Sequence, residues 1–191
     1  MSFDFQNHFG TGLAPKDFIA GMTQNKEKFL DWYEQFSWKK EEDAAFFGSL
    51  KDSNQLYCFI LASDWCGDVV RNVPVVLRVL ETAEIPTEIL IMEQNTNVME
   101  QFLTMGGRSI PIVIFTDLSG KVLGKWGPRP QYVQEVMAKF KESNPDRSAP
   151  EYEENLRLTY SEMMKRYNSG SGTDYHQWIV NELRELLASF K

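Results

Sequence analysis

The chain has 191 residues, 42% of them hydrophobic and 25% charged, which is enough apolar side chain to bury a sizeable core and excludes a largely disordered polymer. Its formal net charge of −7 repels the polyanionic backbone of a nucleic acid and an anionic membrane surface, so small molecules or other proteins are the partners to expect. The opening Met1-Ser2-Phe3-Asp4-Phe5 has neither a basic segment nor an apolar run. No later stretch reaches the roughly 20 apolar residues of a membrane span, and the expected location is the cytoplasm.

The first fifty residues read as helical. Pro15 suits a first helical turn, with Phe18, Ile19 and Met22 on one side. Thr23 is placed to cap a second helix carrying Phe29, Tyr33 and Phe36, and a third from Glu41 to Leu50 is expected to bury Phe46, Phe47 and Leu50. Acidic residues threaded among these aromatics, without a basic stripe, mark them as core rather than a stacking platform for bases.

The period then changes. Leu56 to Ala62 is a continuous apolar run, which is how a strand buried on both faces reads. A helix begins near Cys66 with an inward stripe of Val69, Val73, Val76, Leu77 and Leu80, and Pro74 inside it predicts a kink. Thr87 to Met92 reads as a second strand and Asn97 to Met105 as a helix ended by Gly106-Gly107. Strand, helix, strand implies parallel pairing through a right-handed crossover. Pro111 to Phe115 and Lys121 to Trp126, joined by Asp117-Leu118-Ser119-Gly120, require an antiparallel hairpin, so the sheet is mixed.

An amphipathic helix follows from Gln131 to Phe140, and the turn-rich 143–150 reads as a linker. Two helices close the chain. One is expected to bury Tyr152, Leu156, Tyr160, Met163 and Tyr167; the other presents Trp178, Ile179, Leu183, Leu186, Leu187 and Phe190 as an apolar face. The organisation expected is thus a helical extension over 1–50, a sheet domain over 51–142, and a C-terminal helical extension over 143–191. The last packs on the same domain or on a partner, a homodimer through the terminal helices included.

The sharpest local feature is Asp64-Trp65-Cys66-Gly67-Asp68, where an apolar strand hands over to a helix. Unpaired amides and the helix dipole favour a thiolate there, whereas Asp64 and Asp68 oppose it, with Arg71 as a candidate offset. Cys58, eight residues upstream on a strand, lies too far along the chain to pair with Cys66 and reads as a small core residue. His8, His176 and the two cysteines show no metal-ligand spacing, and Gly10-Thr11-Gly12 lacks the order of a phosphate loop, so neither metal nor cofactor is expected. Arg108 reads as a solvated charge beside the proline loop.

These segments resemble the thioredoxin superfamily over roughly residues 51 to 142. Trp65-Cys66-Gly67 is similar to the start of the family's Trp-Cys-Gly-Pro-Cys motif, and Pro74 to the proline of its active-site helix. Gly107-Arg108-Ser109-Ile110-Pro111 is similar to its cis-proline segment, Ser119-Gly120-Lys121 to its hairpin turn, and Trp126-Gly127 to the glycine after the next strand. The resemblance implies a thioredoxin fold of α/β class, a mixed four- to five-stranded sheet flanked by helices, with extra helices at both ends. It also implies a cis Ile110-Pro111 bond packed against the cysteine.

The departures shape the functional expectation. Val69 stands where a second cysteine belongs, Asp68 replaces the intervening proline, and Ile60 and Ile89 occupy the places of the family's buried carboxylate and lysine. Without an internal resolving thiol, a mixed disulfide at Cys66 must be released from outside. The expectation is a monothiol thiol-disulfide oxidoreductase with Cys66 catalytic and Trp65, Gly67, Asp68, Ile110 and Pro111 contacting the substrate. Its partners would be protein disulfides or thiols and a low-molecular-weight thiol. The alternative is a binding module that keeps the fold without thiol chemistry; peroxide reduction at Cys66 ranks below both.

Overall fold

The computed structural model describes residues 3–51 and 55–190; Met1 and Ser2 of the opening segment lie outside them. The element order is α1 (Pro15–Gly21), α2 (Lys26–Glu34), α3 (Glu41–Gly48), β1 (Tyr57–Ala62), α4 (Gly67–Thr82), β2 (Thr87–Ile91), α5 (Thr96–Met99), β3 (Ile112–Thr116), β4 (Val122–Trp126), α6 (Gln131–Ser143), α7 (Tyr152–Tyr167) and α8 (Asp174–Ala188). The four strands form one sheet in the order β2-β1-β3-β4.

β1 pairs with β2 in parallel and with β3 antiparallel, so Ile60 stands between Ile89 and Val113. The β3–β4 hairpin is antiparallel, with an irregularity between Phe115 and Thr116. β1 and β3 are buried nearly throughout, which is why both are continuous apolar runs rather than alternating ones. The outer edge of β2 is not left open, because Leu13 and Ile89 exchange backbone hydrogen bonds of 2.9 and 2.8 Å. At the far corner Gly120, at φ +92°, lets Phe5 N–H reach its carbonyl; a Cβ there would lie 2.3 Å from Gln6 N.

α4 is the axis of the molecule. Its sequence is rich in valine, a modest helix former, and has Pro74 inside, so burial rather than propensity must hold it. The sheet covers one side and α2, α3 and α8 pack against it from outside, so Val70, Val75 and Val79 are buried along with the expected stripe. α6 packs on α7, and α8 also reaches β4. Helices from both ends of the chain thus contact α4 and the sheet within the same chain, α1 meeting β2, α2, α3 and α8 meeting α4, and α8 meeting β4. No described helix is long and apolar enough to cross a membrane.

Four local expectations need correction. Thr23 does not cap α2; Asn25 occupies the N-cap position in a left-handed conformation and without a side-chain capping hydrogen bond, and Thr23 binds Asp64 instead. The helix expected to reach Met105 stops at Met99, after which Thr104 and Gly107 exchange backbone hydrogen bonds in a tight turn. Phe46 is half-buried, with the Arg184 guanidinium over its ring. On α7 only Met163 and Tyr167 are buried, and Tyr160 is 50% exposed because it lines an open cleft.

Candidate active site

Cys66 is the N-cap of α4, in extended backbone conformation, at the point where β1 ends and the chain turns into the helix. Its thiol donates to the carbonyl of Ile110 at 3.4 Å, and the Ile110-Pro111 bond that follows is cis. The lone sulfur and the proline loop, 44 residues apart in sequence, are thus in contact. Val69 is fully buried in the position where a second sulfur would stand, and Ile60 and Ile89 are fully buried and paired side by side across the sheet.

The sulfur is half-buried at the bottom of a cleft of about 830 Å³. The walls come from α2, from the start of α4, from 108–110 before the cis proline, and from α7 through Tyr160, Met163, Met164 and Tyr167. Gly67 forms part of the rim, where an added Cβ would meet nothing within 4 Å; its bareness keeps the approach to the sulfur open. Cys58 is fully buried within β1 and unpaired, and burial pushes its thiol far up.

The electrostatics run against the expectation that position alone activates Cys66. Burial pushes the Cys66 thiol up; the amides of Val69 and Asp68 and the charge of Arg129 pull it down, while the Asp68 carboxylate adds to the rise, and the balance stays upward. The hydrogen bond donated to Ile110 acts in the same direction, because it holds the proton on sulfur.

Asp68 is not free to swing away. Arg129 lies 2.6 Å from it with only 10% of its side chain exposed, and Tyr167 donates to it at 3.1 Å. Asn72, fully buried on α4, donates to Tyr167 at 2.9 Å and to the Pro128 carbonyl at 3.1 Å, while Arg129 donates to Gln134 at 2.9 Å. Burial opposes the charge of Arg129, but Asp68 outweighs it and holds the guanidinium above its ordinary range. The network joins α4, the segment after β4, α6 and α7 around one side of the thiol. Arg71, the expected offset, points elsewhere: its guanidinium lies 4.7 Å from the Trp32 ring centre and 5.1 Å from that of Tyr167. Arg108 pairs with Glu100.

On the other side Trp65 is 49% exposed and donates to Glu93 at 2.6 Å. Burial opposes the Glu93 charge, yet the donors Ser63 and Trp65 win and hold its carboxyl below the usual range. Asp64 accepts from the amides of Thr23 and Gln24 at 2.7 and 3.0 Å, tying the loop between α1 and α2 to the active segment. Among the described residues no group of His, Cys, Asp and Glu is placed to hold a metal ion. Trp65, Cys66, Gly67, Asp68 and Ile110 meet at one cleft, with Pro111 directly behind Ile110. Arg129, Tyr167 and the α2 wall carry no local sequence signal, since each reaches the site from a distant element.

A family model described as "Thioredoxin" matches residues 12–141, beginning within the N-terminal helical segment. Among solved structures, the chain is similar to a protein of unknown function from Pseudomonas aeruginosa, at 15% identity, 99% coverage of both chains and a TM-score of 0.65. It is also similar to a scaffold protein bearing an HIV epitope, at 13% identity, 98% coverage of this chain, 99% of the other, and a TM-score of 0.62. No curated protein matches.

Proposed function

Since the chain belongs to the thioredoxin family, whose model spans well over half of it, we propose that it is a monothiol thiol-disulfide oxidoreductase acting through Cys66. The observation that carries this reading is the contact of the Cys66 thiol with the Ile110 carbonyl at a cis proline, at the foot of an open cleft. A sulfur kept only for packing has no need of that opening.

In the forward step the Cys66 thiolate attacks one sulfur of a disulfide. A new S–S bond forms to Cys66, the old one breaks, and the departing sulfur leaves as a thiolate with the bonding electron pair. An external low-molecular-weight thiolate then attacks the mixed disulfide at its outer sulfur and returns Cys66 as thiolate. No internal thiol competes, since Val69 fills the place of a resolving cysteine and Cys58 is sealed in the sheet. Trp65 and the loop ending in Pro111 would flank the incoming disulfide. Because burial holds the thiol protonated, the rate rises through and above the ordinary thiol pKa of about 8.5. The partners are protein or small-molecule disulfides and thiol adducts, in the reducing cytoplasm.

The same upward shift is the observation that favours a second reading, a binding module without redox turnover. Reduction of the uncharged hydroxyethyl disulfide, with a small thiol as reductant, separates the two. Turnover by the parent and by Cys58→Ser, with Cys66→Ser at the uncatalysed background, is the expected result. Turnover that persists in Cys66→Ser, or a parent protein no faster than background, overturns the enzyme reading.

A further inference from the structure

Cations outnumber carboxylates in the lining of the cleft beside Cys66, on a chain whose overall charge is negative. Lys28, Arg71, Arg108 and Arg129 line it against Asp31 and Asp68, although the chain carries a net charge of −7. Two of these cations are neutralised by carboxylates, Arg129 by Asp68 and Arg108 by Glu100. Among the described residues, Lys28 and Arg71 have no carboxylate within ion-pair distance.

Arg71 is held as a receptor group is held. Its guanidinium is packed against Trp32 and Tyr167, with Tyr175 behind, and Nη2 donates at 2.8 Å to Asn168, an exposed residue just past the end of α7. Nη1 is buried without an acceptor. Stacking fixes the planar fork in advance, so little conformational freedom is lost when an anion binds it.

We infer that this cleft binds a small anionic thiol or disulfide, its carboxylate held by Arg71 and Lys28 while its sulfur meets Cys66. The inference rests on the redox reading only for the sulfur end of the ligand. Five residues of helix separate the Cα atoms of Cys66 and Arg71 by about 8–9 Å, so the ligand needs its anionic group several bonds from its sulfur, as in a thiol of peptide size. The cleft volume of about 830 Å³ suits such a ligand. The walls of α2 and α7 enclose the sulfur on two sides, which fits a compact molecule better than an extended protein strand.

The test is calorimetric titration of S-methylglutathione, which has two carboxylates and no free thiol, into the full-length Cys66→Ser protein. Saturable binding that weakens with added salt is expected. It should weaken about tenfold or more in Arg71→Gln and in Asn168→Asp, the latter placing a carboxylate beside the guanidinium at an exposed position. The dication cystamine should not compete. Absence of binding at millimolar ligand, or undiminished affinity in Asn168→Asp, overturns the inference; this second variant decides the matter should Arg71→Gln fail to fold. The readout needs no sulfur chemistry. Retained S-methylglutathione binding in a protein whose Cys66 never exchanges disulfides would remove the redox reading and leave this one standing.

Discussion

Replacing Asp68 with Asn removes the carboxylate that opposes ionisation of Cys66 while keeping an oxygen for the Tyr167 and Arg129 donors. A unit charge roughly 6 Å away, the expected spacing of side chains two residues apart at a helix start, is worth about 2.8 kcal/mol at an effective dielectric of about 20 and about 0.7 kcal/mol in bulk water. Asp68 is 16% exposed and already shared with Arg129, so the middle of that range applies. That corresponds to about one pKa unit downward, or about 1.4 kcal/mol, and about tenfold more thiolate at pH 7. Because nucleophilicity falls with pKa at a Brønsted slope of about 0.4–0.5, the net gain in disulfide exchange rate is about three- to fourfold. The assay is the pH dependence of reaction with the neutral disulfide 4,4′-dithiodipyridine in a Cys58→Ser background. Leaving Arg129 buried without its carboxylate costs up to about 3–5 kcal/mol of stability, so a urea melt must accompany the kinetics. A Cys66 pKa that stays put or rises, with slower reaction at pH 7, would refute the electrostatic reasoning.

Gly127, at φ +112°, sits where a Cβ would lie 2.3 Å from the Pro111 carbonyl, so Gly127→Ala should cost about 1–3 kcal/mol or more in thermal denaturation and alter Cys66 reactivity. The control Gly67→Ala meets no atom within 4 Å and should change stability by no more than about 1 kcal/mol. Glu88 is 6% exposed and accepts from the amides of Gly10 and Gly12 and the hydroxyl of Tyr57, so Glu88→Gln should lower urea stability by about 1.5–3 kcal/mol. His176 is buried among Trp32, Phe36 and Tyr175, and burial, with Lys39 and Arg71 adding, pushes its pKa down to about 4. The unfolded chain therefore binds a proton between pH 6.5 and 4 that the native state refuses. The His176 share of stability should fall as the pH drops across that window, by at most about 1.4 kcal/mol per pH unit, and end below it, and His176→Phe should remove that share from the profile.

The sheet was legible because β1 and β3 are buried on both faces and say so as unbroken apolar runs, and because a four-residue turn leaves β4 no choice but a hairpin. The position of Cys66 at a strand-to-helix junction was equally plain, since the apolar run stops at Ala62 and the helical stripe starts at Val69. What escaped was long-range. The periodicity of α4 showed one inward stripe, whereas α2, α3 and α8 bury the other side too; no window around residues 67–82 contains the helices that do this. The charge partner of Asp68 was sought at Arg71, on the same helix, but three aromatic rings capture that side chain, and Arg129 enters from beyond β4. Thr23 resembled a cap because its hydroxyl precedes a helix, yet the Asp64 carboxylate offers it a better-placed partner from across the fold. The thiol followed the same pattern. Helix position favours ionisation, but burial under the cleft walls and the Ile110 carbonyl outweigh it.

The central claim is that Cys66 exchanges disulfides and depends on an outside thiol for release. Intact-mass spectrometry of the Cys58→Ser protein after exposure to hydroxyethyl disulfide tests it most directly. A single mercaptoethanol adduct at Cys66, stable in buffer and removed at a rate proportional to added glutathione, is the predicted result. A Cys66 that takes no adduct, or one that loses it at a rate independent of the added thiol, would contradict the account.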